Sequence, residues 1–296
     1  MPQKDRIDAF GAAGLTVFAA LLAFNQVVIA VGNEGLQPVF FAALRSIGGA
    51  LCIFAWMKAR GIAVEVAPGT WRAGLAMGAC FAVEFICLFV ALDLTTVTRT
   101  SIIFYSMPVW LALLGHVLIP GERITRVKGM GLALAFGGVV LAITRRDGAG
   151  GEASLIGDLC ALVAALAWAG IALLAKASRL RTVRPEVQLL WQLAVSAPLL
   201  LLAAPFFGPF LRGPELIHWG ALAFQIVVIV SAGFLFWLWL LSIYPAASVA
   251  AFSFLSPVFG VLLGWSLLGE QVGWEIIAAL VLVAAGLILI NRPARG

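Results

Sequence analysis

The chain has 296 residues, of which 63% are hydrophobic and 11% charged, and its mean hydropathy is +1.08. A soluble domain of that composition would have a largely apolar surface, so a water-soluble protein is excluded and the chain belongs in a bilayer. The net charge of +5 does not mark a nucleic-acid binder, because the basic residues fall in short gaps between apolar runs, where topology determinants sit.

A transmembrane helix needs about 20 mostly apolar residues. Ten runs qualify, predicting spans at residues 10–31, 37–57, 73–92, 98–118, 127–144, 155–176, 186–207, 219–241, 248–268 and 273–291. The first is too long for a cleaved signal peptide and lacks a small-residue cleavage site, so it is expected as a retained span. The connections are short and rich in Gly, Pro and charge, as in Pro120-Gly121-Glu122-Arg123. They leave no room for a separate soluble domain, and the function is expected among the helices.

Ten spans put both termini on one side. The termini and the gaps after spans 2, 4, 6 and 8 hold fourteen lysines and arginines, whereas the opposite side holds four, Arg99, Arg145, Arg146 and Arg212. This bias predicts cytoplasmic termini.

Two stretches repeat one pattern: Pro108, Gly115, Gly121-Glu122 and Gly138, then Pro257, Gly264, Gly269-Glu270 and Gly286. Proline to glycine is seven residues in both, and glutamate to the last glycine is sixteen in both. The expected fold is therefore all-α, ten transmembrane helices as two five-helix repeats (5+5), residues 1–150 and 151–296. Five spans per copy is odd, so the second repeat enters the membrane inverted. A pseudo-two-fold axis in the membrane plane allows a central site to open to either face, which is the logic of an alternating-access carrier.

Asn25 in span 1, Pro38 to Arg45 at the start of span 2, Ser106-Met107-Pro108-Val109-Trp110, Leu255-Ser256-Pro257-Val258-Phe259 and the two Gly-Glu turns resemble the EamA-type repeats of the drug/metabolite transporter superfamily. Within it the chain most resembles the aromatic amino-acid exporters of the YddG type. The resemblance implies a multi-pass protein of the inner membrane that exports amino acids or related metabolites. Related sequences often carry a lysine near the end of span 1, where this chain has Ala30, and span 1 lacks the carboxylate of the four-span multidrug members. Proton coupling would then need another group, or be absent.

Arg45 lies deep in span 2, where a charge is costly and normally faces a cavity or a partner. Its guanidinium suits a substrate carboxylate and equally a structural ion pair. Glu84, the acidic residue well inside span 3, lies roughly 16–17 Å from the cytoplasmic end against roughly 18–19 Å for Arg45. The two are expected level enough to pair; a substrate-ammonium contact, a coupling site and a neutral hydrogen-bonded acid are the alternatives. Gln192 aligns with Arg45 and Gly233 with Glu84, so the halves differ in charge. Asn25 is at the depth of Arg45 and suits either helix packing or a substrate contact.

Trp56, Trp71, Trp219, Trp237, Trp239, Trp265 and Trp274 fall near helix ends and fit an interfacial belt. Trp110, Trp168 and Trp191 lie deeper and, with Tyr105, Phe81 and Phe85, are candidates for an aromatic cavity lining, the alternative for each being helix packing. Pro108 and Pro257, ten residues into their spans, are expected to kink both copies at matched depth, either as hinges or as static bends. Gly74/Gly78 and Gly260/Gly264 suit close packing within the chain. His116 and His218 are expected at interfaces, and Cys52, Cys80, Cys87 and Cys160 as small apolar residues.

There is no HExxH, no GxSxG and no metal-ligand spacing, so neither an enzyme nor a metal or other cofactor is expected. A small-molecule substrate and the lipid bilayer are the expected partners, with no oligomer required. A broad-specificity efflux protein, a nucleotide-sugar-type carrier, and a channel or scramblase are the competing readings.

Overall fold

The computed structural model describes residues 8–64, 68–119, 124–144, 154–244 and 252–290. Among them every regular element is a helix, apart from one isolated bridge between Leu36 and Leu211. The first helices are α1 (Ala9–Gly35), α2 (Pro38–Ala59) and α3 (Trp71–Leu94), followed by α4 (Val97–Phe104), α5 (Met107–Leu118) and α6 (Arg126–Thr144). Then come α7 (Leu155–Ala177), α8 (Pro185–Ala203) and α9 (Leu216–Phe224), a π-helical stretch (Gln225–Gly233), α10 (Phe234–Ile243), α11 (Leu255–Leu268) and α12 (Trp274–Ile290). Eight segments are long and apolar enough to cross a bilayer, α4–α5 and α9 to Trp237 each counting as one, and α11 and α12 are shorter apolar helices. All ten predicted runs map onto helix; residues 248–251 and the Gly121-Glu122 turn lie outside the described residues.

Local chemistry sets the boundaries. Asp8 caps α1 by accepting from Gly11 N at 2.8 Å. Pro38 occupies the first turn of α2, where its missing N–H costs no helix bond. Gly269 ends α11 with φ of 66°, a left-handed cap that glycine adopts without strain.

The expected proline kinks are helix breaks instead. α4 stops at Phe104 and α5 restarts at Met107, so Pro108 is the second residue of a new helix. Pro257 is the third residue of α11 and follows a 3₁₀ turn at Phe252–Phe254. In a first turn no N–H has an intrahelical partner, so proline's lack of one breaks no helix bond, and each proline stands at the start of its α-helix.

Glycines set the tightest helix seams. A β-carbon on Gly138 of α6 would lie 2.7 Å from the Ala279 carbonyl oxygen and 2.8 Å from Val283 of α12. One on Gly286 of α12 would meet the Gly131 carbonyl and Ala135 of α6. All these pairs are related by an offset of 148 residues, so α6 and α12 make the same contact twice. α2 and α8 behave alike: Ser196 Oγ donates to Ser46 Oγ at 3.1 Å, while Gly49 faces Leu193, and an offset of 147 exchanges the two contacts. Gly74 and Gly78 pack under Trp191 and Val195 of α8, and Gly260 and Gly264 against Ser101 and Thr98 of α4. These are seams within one chain, as expected.

Gly137, adjacent to Gly138, has nothing within 4 Å of its β-carbon position. Gly138→Leu is therefore expected to lower the melting temperature in detergent by roughly 4–10 °C through overpacking, and Gly137→Leu by less than about 2 °C. Thermal unfolding of the two variants side by side is the check.

Candidate functional site

A cavity of about 1360 Å³ lies among the helices. It runs from Asn25, Arg45 and Glu84 to His116, Thr125, Lys128 and Lys176. His116, Thr125 and Lys176 are solvent-exposed, and this end is the mouth.

At the deep end Arg45 and Glu84 are each only 5% exposed. Arg45 Nε donates to Gln225 Oε1 at 3.0 Å, and the guanidinium carbon stands 4.0 Å from the centre of the Phe85 ring. Gln225 in turn donates from Nε2 to Asn25 Oδ1. Arg45 Nη1 and Glu84 Oε2 have no hydrogen-bond partner. The expected Arg45–Glu84 salt bridge is not formed: a hydrogen bond on one edge and a ring under one face hold the guanidinium instead. Both groups border the cavity with hydrogen-bonding capacity left over, which is costly in a low-dielectric interior unless a ligand uses it.

The walls are aromatic. Trp168 stacks on Phe104 at 4.9 Å and meets Tyr105 edge-on at 6.2 Å, while Phe81 and Phe85 pack at 4.5 Å. Eight candidate substrate contacts from the sequence line the cavity: Asn25, Arg45, Phe81, Glu84, Phe85, Tyr105, Trp168 and Gln192. Gln192 donates to the Gln188 carbonyl at 3.3 Å and faces Met77 Sδ at 3.6 Å.

Trp110 and Trp191 do not line it. Trp110 donates to Ser106 Oγ at 3.0 Å and meets Phe136 edge-on, and Trp191 covers Gly74 in the α3–α8 seam. Their depth matches the cavity, but they point from the wrong face of their helices. Trp237, assigned by its sequence position to the interfacial belt, lines the wall and stacks on Phe18 at 5.0 Å.

Sequence reasoning also passed over Gln26 and Gln225. Gln26 lines the cavity, accepts from Ser101 Oγ at 2.7 Å and leaves Nε2 without a partner. A polar side chain inside an apolar run was the available signal for both.

The other end of the bundle is closed by polar links. Glu270, from the second Gly-Glu turn, accepts from Val97 N at 2.6 Å and Thr98 N at 2.8 Å, so its carboxylate caps α4. That is favourable for charge and for the free N–H groups at once. Arg212 pairs with Asp93 at 2.6 Å and donates to the Asn33 carbonyl at 3.2 Å. His218, expected at an interface, is buried and accepts from Glu215 N at 2.8 Å as part of a helix cap.

Arg99, counted from the sequence among the basic residues of the side opposite the termini, is fully buried in α4. Its Nη2 lies 2.6 Å from Asp158 Oδ2 and its Nε 3.1 Å from Oδ1, and Thr95 Oγ1 donates to the same carboxylate at 3.1 Å. This fully satisfied pair ties α4 to α7.

The sequence comparisons agree with this architecture. The EamA-like transporter family model matches residues 9–144 and again residues 155–292. The chain belongs to the EamA-like transporter family. Among its relatives, the uncharacterized transporter YoaV of Bacillus subtilis is 23% identical over 279 residues, covering 93% of this chain and 94% of that protein. An uncharacterized protein of Pseudomonas aeruginosa is 32% identical over 289 residues, covering 95% of each chain. A protein of known crystal structure shares the fold with a TM-score of 0.64 and 22% identity, covering 94% of this chain and 96% of its own. This EamA-family protein is thus a membrane transporter, and the Bacillus subtilis relative is a transporter by name.

Because both members are fully buried, Asp158→Ala leaves an uncompensated charge and is expected to cost about 3–5 kcal/mol, whereas the double variant Arg99→Met/Asp158→Leu recovers most of it. Thermal unfolding of the single and double variants measures the difference.

Proposed function

We propose that this transporter exports amino acids with aromatic or large apolar side chains across the inner membrane, by alternating access at the described cavity. The observation that carries the proposal is the deep end of that cavity. A guanidinium with Nη1 unpartnered and a carboxylate with Oε2 unpartnered border it together, beside Phe81, Phe85, Tyr105 and Trp168. An amino-acid zwitterion offers a carboxylate for the first, an ammonium for the second and a side chain for the aromatic rings.

The proposed architecture is two five-helix repeats of opposite topology, residues 1–150 and 151–296, with both termini cytoplasmic. The two family matches and the reciprocal α6–α12 and α2–α8 contacts support it. With helices that alternate in direction, Lys58, Arg60, Arg72, Arg126, Arg179, Arg181 and Arg184 fall on the side of Lys128 and Lys176, which line the mouth, and Arg99 and Arg212 on the other, among described residues. The positive-inside rule then makes the mouth cytoplasmic, so the cavity faces inward. The breaks before Pro108 and Pro257 serve as the hinges about which the two ends exchange access.

One observation favours a broader substrate range. A cavity of about 1360 Å³ exceeds the roughly 300–1,000 Å³ of small-molecule sites. Efflux of varied drugs and metabolites is the second reading.

Proteoliposomes loaded with tryptophan, phenylalanine or threonine are expected to release the aromatic two faster, and Arg45→Ala to abolish that release. Equal efflux of all three, or a fully active variant, defeats the substrate assignment and leaves the carrier reading standing. For orientation, Thr125→Cys in a background without the four native cysteines is expected to react with a membrane-impermeant maleimide in inverted vesicles. Glu215→Cys is expected to react in intact spheroplasts; the reverse pattern refutes the topology.

A further inference from the structure

We propose that Gln225 is a positioning residue: it sets the Arg45 guanidinium so that its terminal Nη edge is held ready for the substrate carboxylate. The inference rests on the amino-acid reading above. An arginine on a flexible stem can turn any edge of its fork toward an anion. Here Nε is used by Gln225 Oε1 at 3.0 Å, and one face lies on Phe85 at 4.0 Å. What remains is the terminal edge: its Nη1 is buried without a partner, and the side chain borders the cavity.

Gln225 is itself fixed. It is fully buried, and its Nε2 donates to Asn25 Oδ1, so its oxygen is left to face Arg45. Gln225 also opens the π-helical stretch Gln225–Gly233, in which Ser231 Oγ donates to the carbonyl of Ile226, five residues back, at 2.8 Å. Gln225 meets Arg45 from the start of this stretch, while Ile229, Val230 and Gly233 border the cavity. π-helical turns of this kind are concentrated at functional sites.

Two consequences follow for recognition. With the Nε side occupied, a carboxylate must approach the guanidinium end-on, which fixes the direction of the rest of the ligand. The same bond also competes with self-neutralisation, because Glu84 borders the cavity with Oε2 unpartnered. An arginine released from Gln225 would turn to that carboxylate, and the fork would be lost to the substrate. Gln225 thus acts through Arg45 and sets preference for carboxylate-bearing ligands.

The test compares phenylalanine with phenethylamine, which lacks the carboxylate, as ligands of the full-length protein in proteoliposomes. The readout is the ratio of their half-saturation constants. In the wild type phenylalanine is preferred. Gln225→Met, similar in shape but without the amide, is expected to shift the ratio against phenylalanine by about ten- to a hundred-fold, the worth of a charge-assisted hydrogen bond. Gln225→Glu, which keeps an acceptor for Nε but neutralises Arg45, is expected to shift it in the same direction, and it carries the comparison if the methionine variant does not accumulate. Asn25→Ala, which frees the Gln225 amide to rotate, is expected to give a smaller shift of the same sign.

If Arg45→Ala removes the preference while both Gln225 variants retain it, the positioning role is wrong and the amino-acid reading survives. If Arg45→Ala leaves the preference intact, both are wrong. A fall in maximal rate for both ligands with the ratio unchanged would show a merely structural Gln225 and overturn the proposal.

Discussion

Helices as apolar as the lipid around them gain nothing from the hydrophobic effect when they associate, so they must be held together by shape and by polar bonds. This chain relies on both. Its seams close where a glycine lets two backbones meet, as at Gly138 and Gly286, and a side chain at either place would collide with a carbonyl group. Between the seams, polar residues that cannot be solvated find one another: Ser46 with Ser196, Gln26 with Ser101, Thr95 and Arg99 with Asp158. The cavity is what this packing leaves open.

Two buried arginines show the difference between a strut and a site. Arg99 has its carboxylate and a backbone carbonyl, neither it nor Asp158 has any exposed side-chain surface, and it joins helices. Arg45 has a neutral amide and an aromatic face, and an N–H group left over beside an open volume. Burial alone does not separate them. Satisfaction does: a charge with all its partners in the protein has nothing to offer a ligand, and one with an unmet bond does.

Depth along a helix was legible in the sequence, and direction around it was not. The apolar runs placed every described helix, and counting residues put Arg45, Glu84, Tyr105 and Trp168 at the level where the cavity lies. The same counting put Trp110 and Trp191 there too, but they face Phe136 and Gly74 in helix seams. A helix that is apolar all round carries no amphipathic stripe from which to read its facing. Charge misled near the ends: Arg99 was counted with the topology determinants because its partner Asp158, 59 residues on, was not foreseeable from spacing. Gln225 was missed because Gln192 is the residue that aligns with Arg45, whereas the guanidinium is met by a side chain from a different helix. The prolines were read as kinks within continuous helices, whereas each stands in the first turn of one, where it does no harm.

The reciprocal contact between α6 and α12 has the form of an interface between two identical subunits, each supplying the glycine that receives the other. On the proposed repeat, the modern chain is such a pair joined end to end. In separate identical subunits, any arginine at position 45 would bring a twin into the same cavity, and two like charges would repel across it. Joining the halves in one gene frees them to diverge, so that one keeps the cation while the other carries Gln192 at the matched place. A binding site with a head and a tail, able to tell one end of a ligand from the other, then becomes available to a scaffold whose frame is still symmetric.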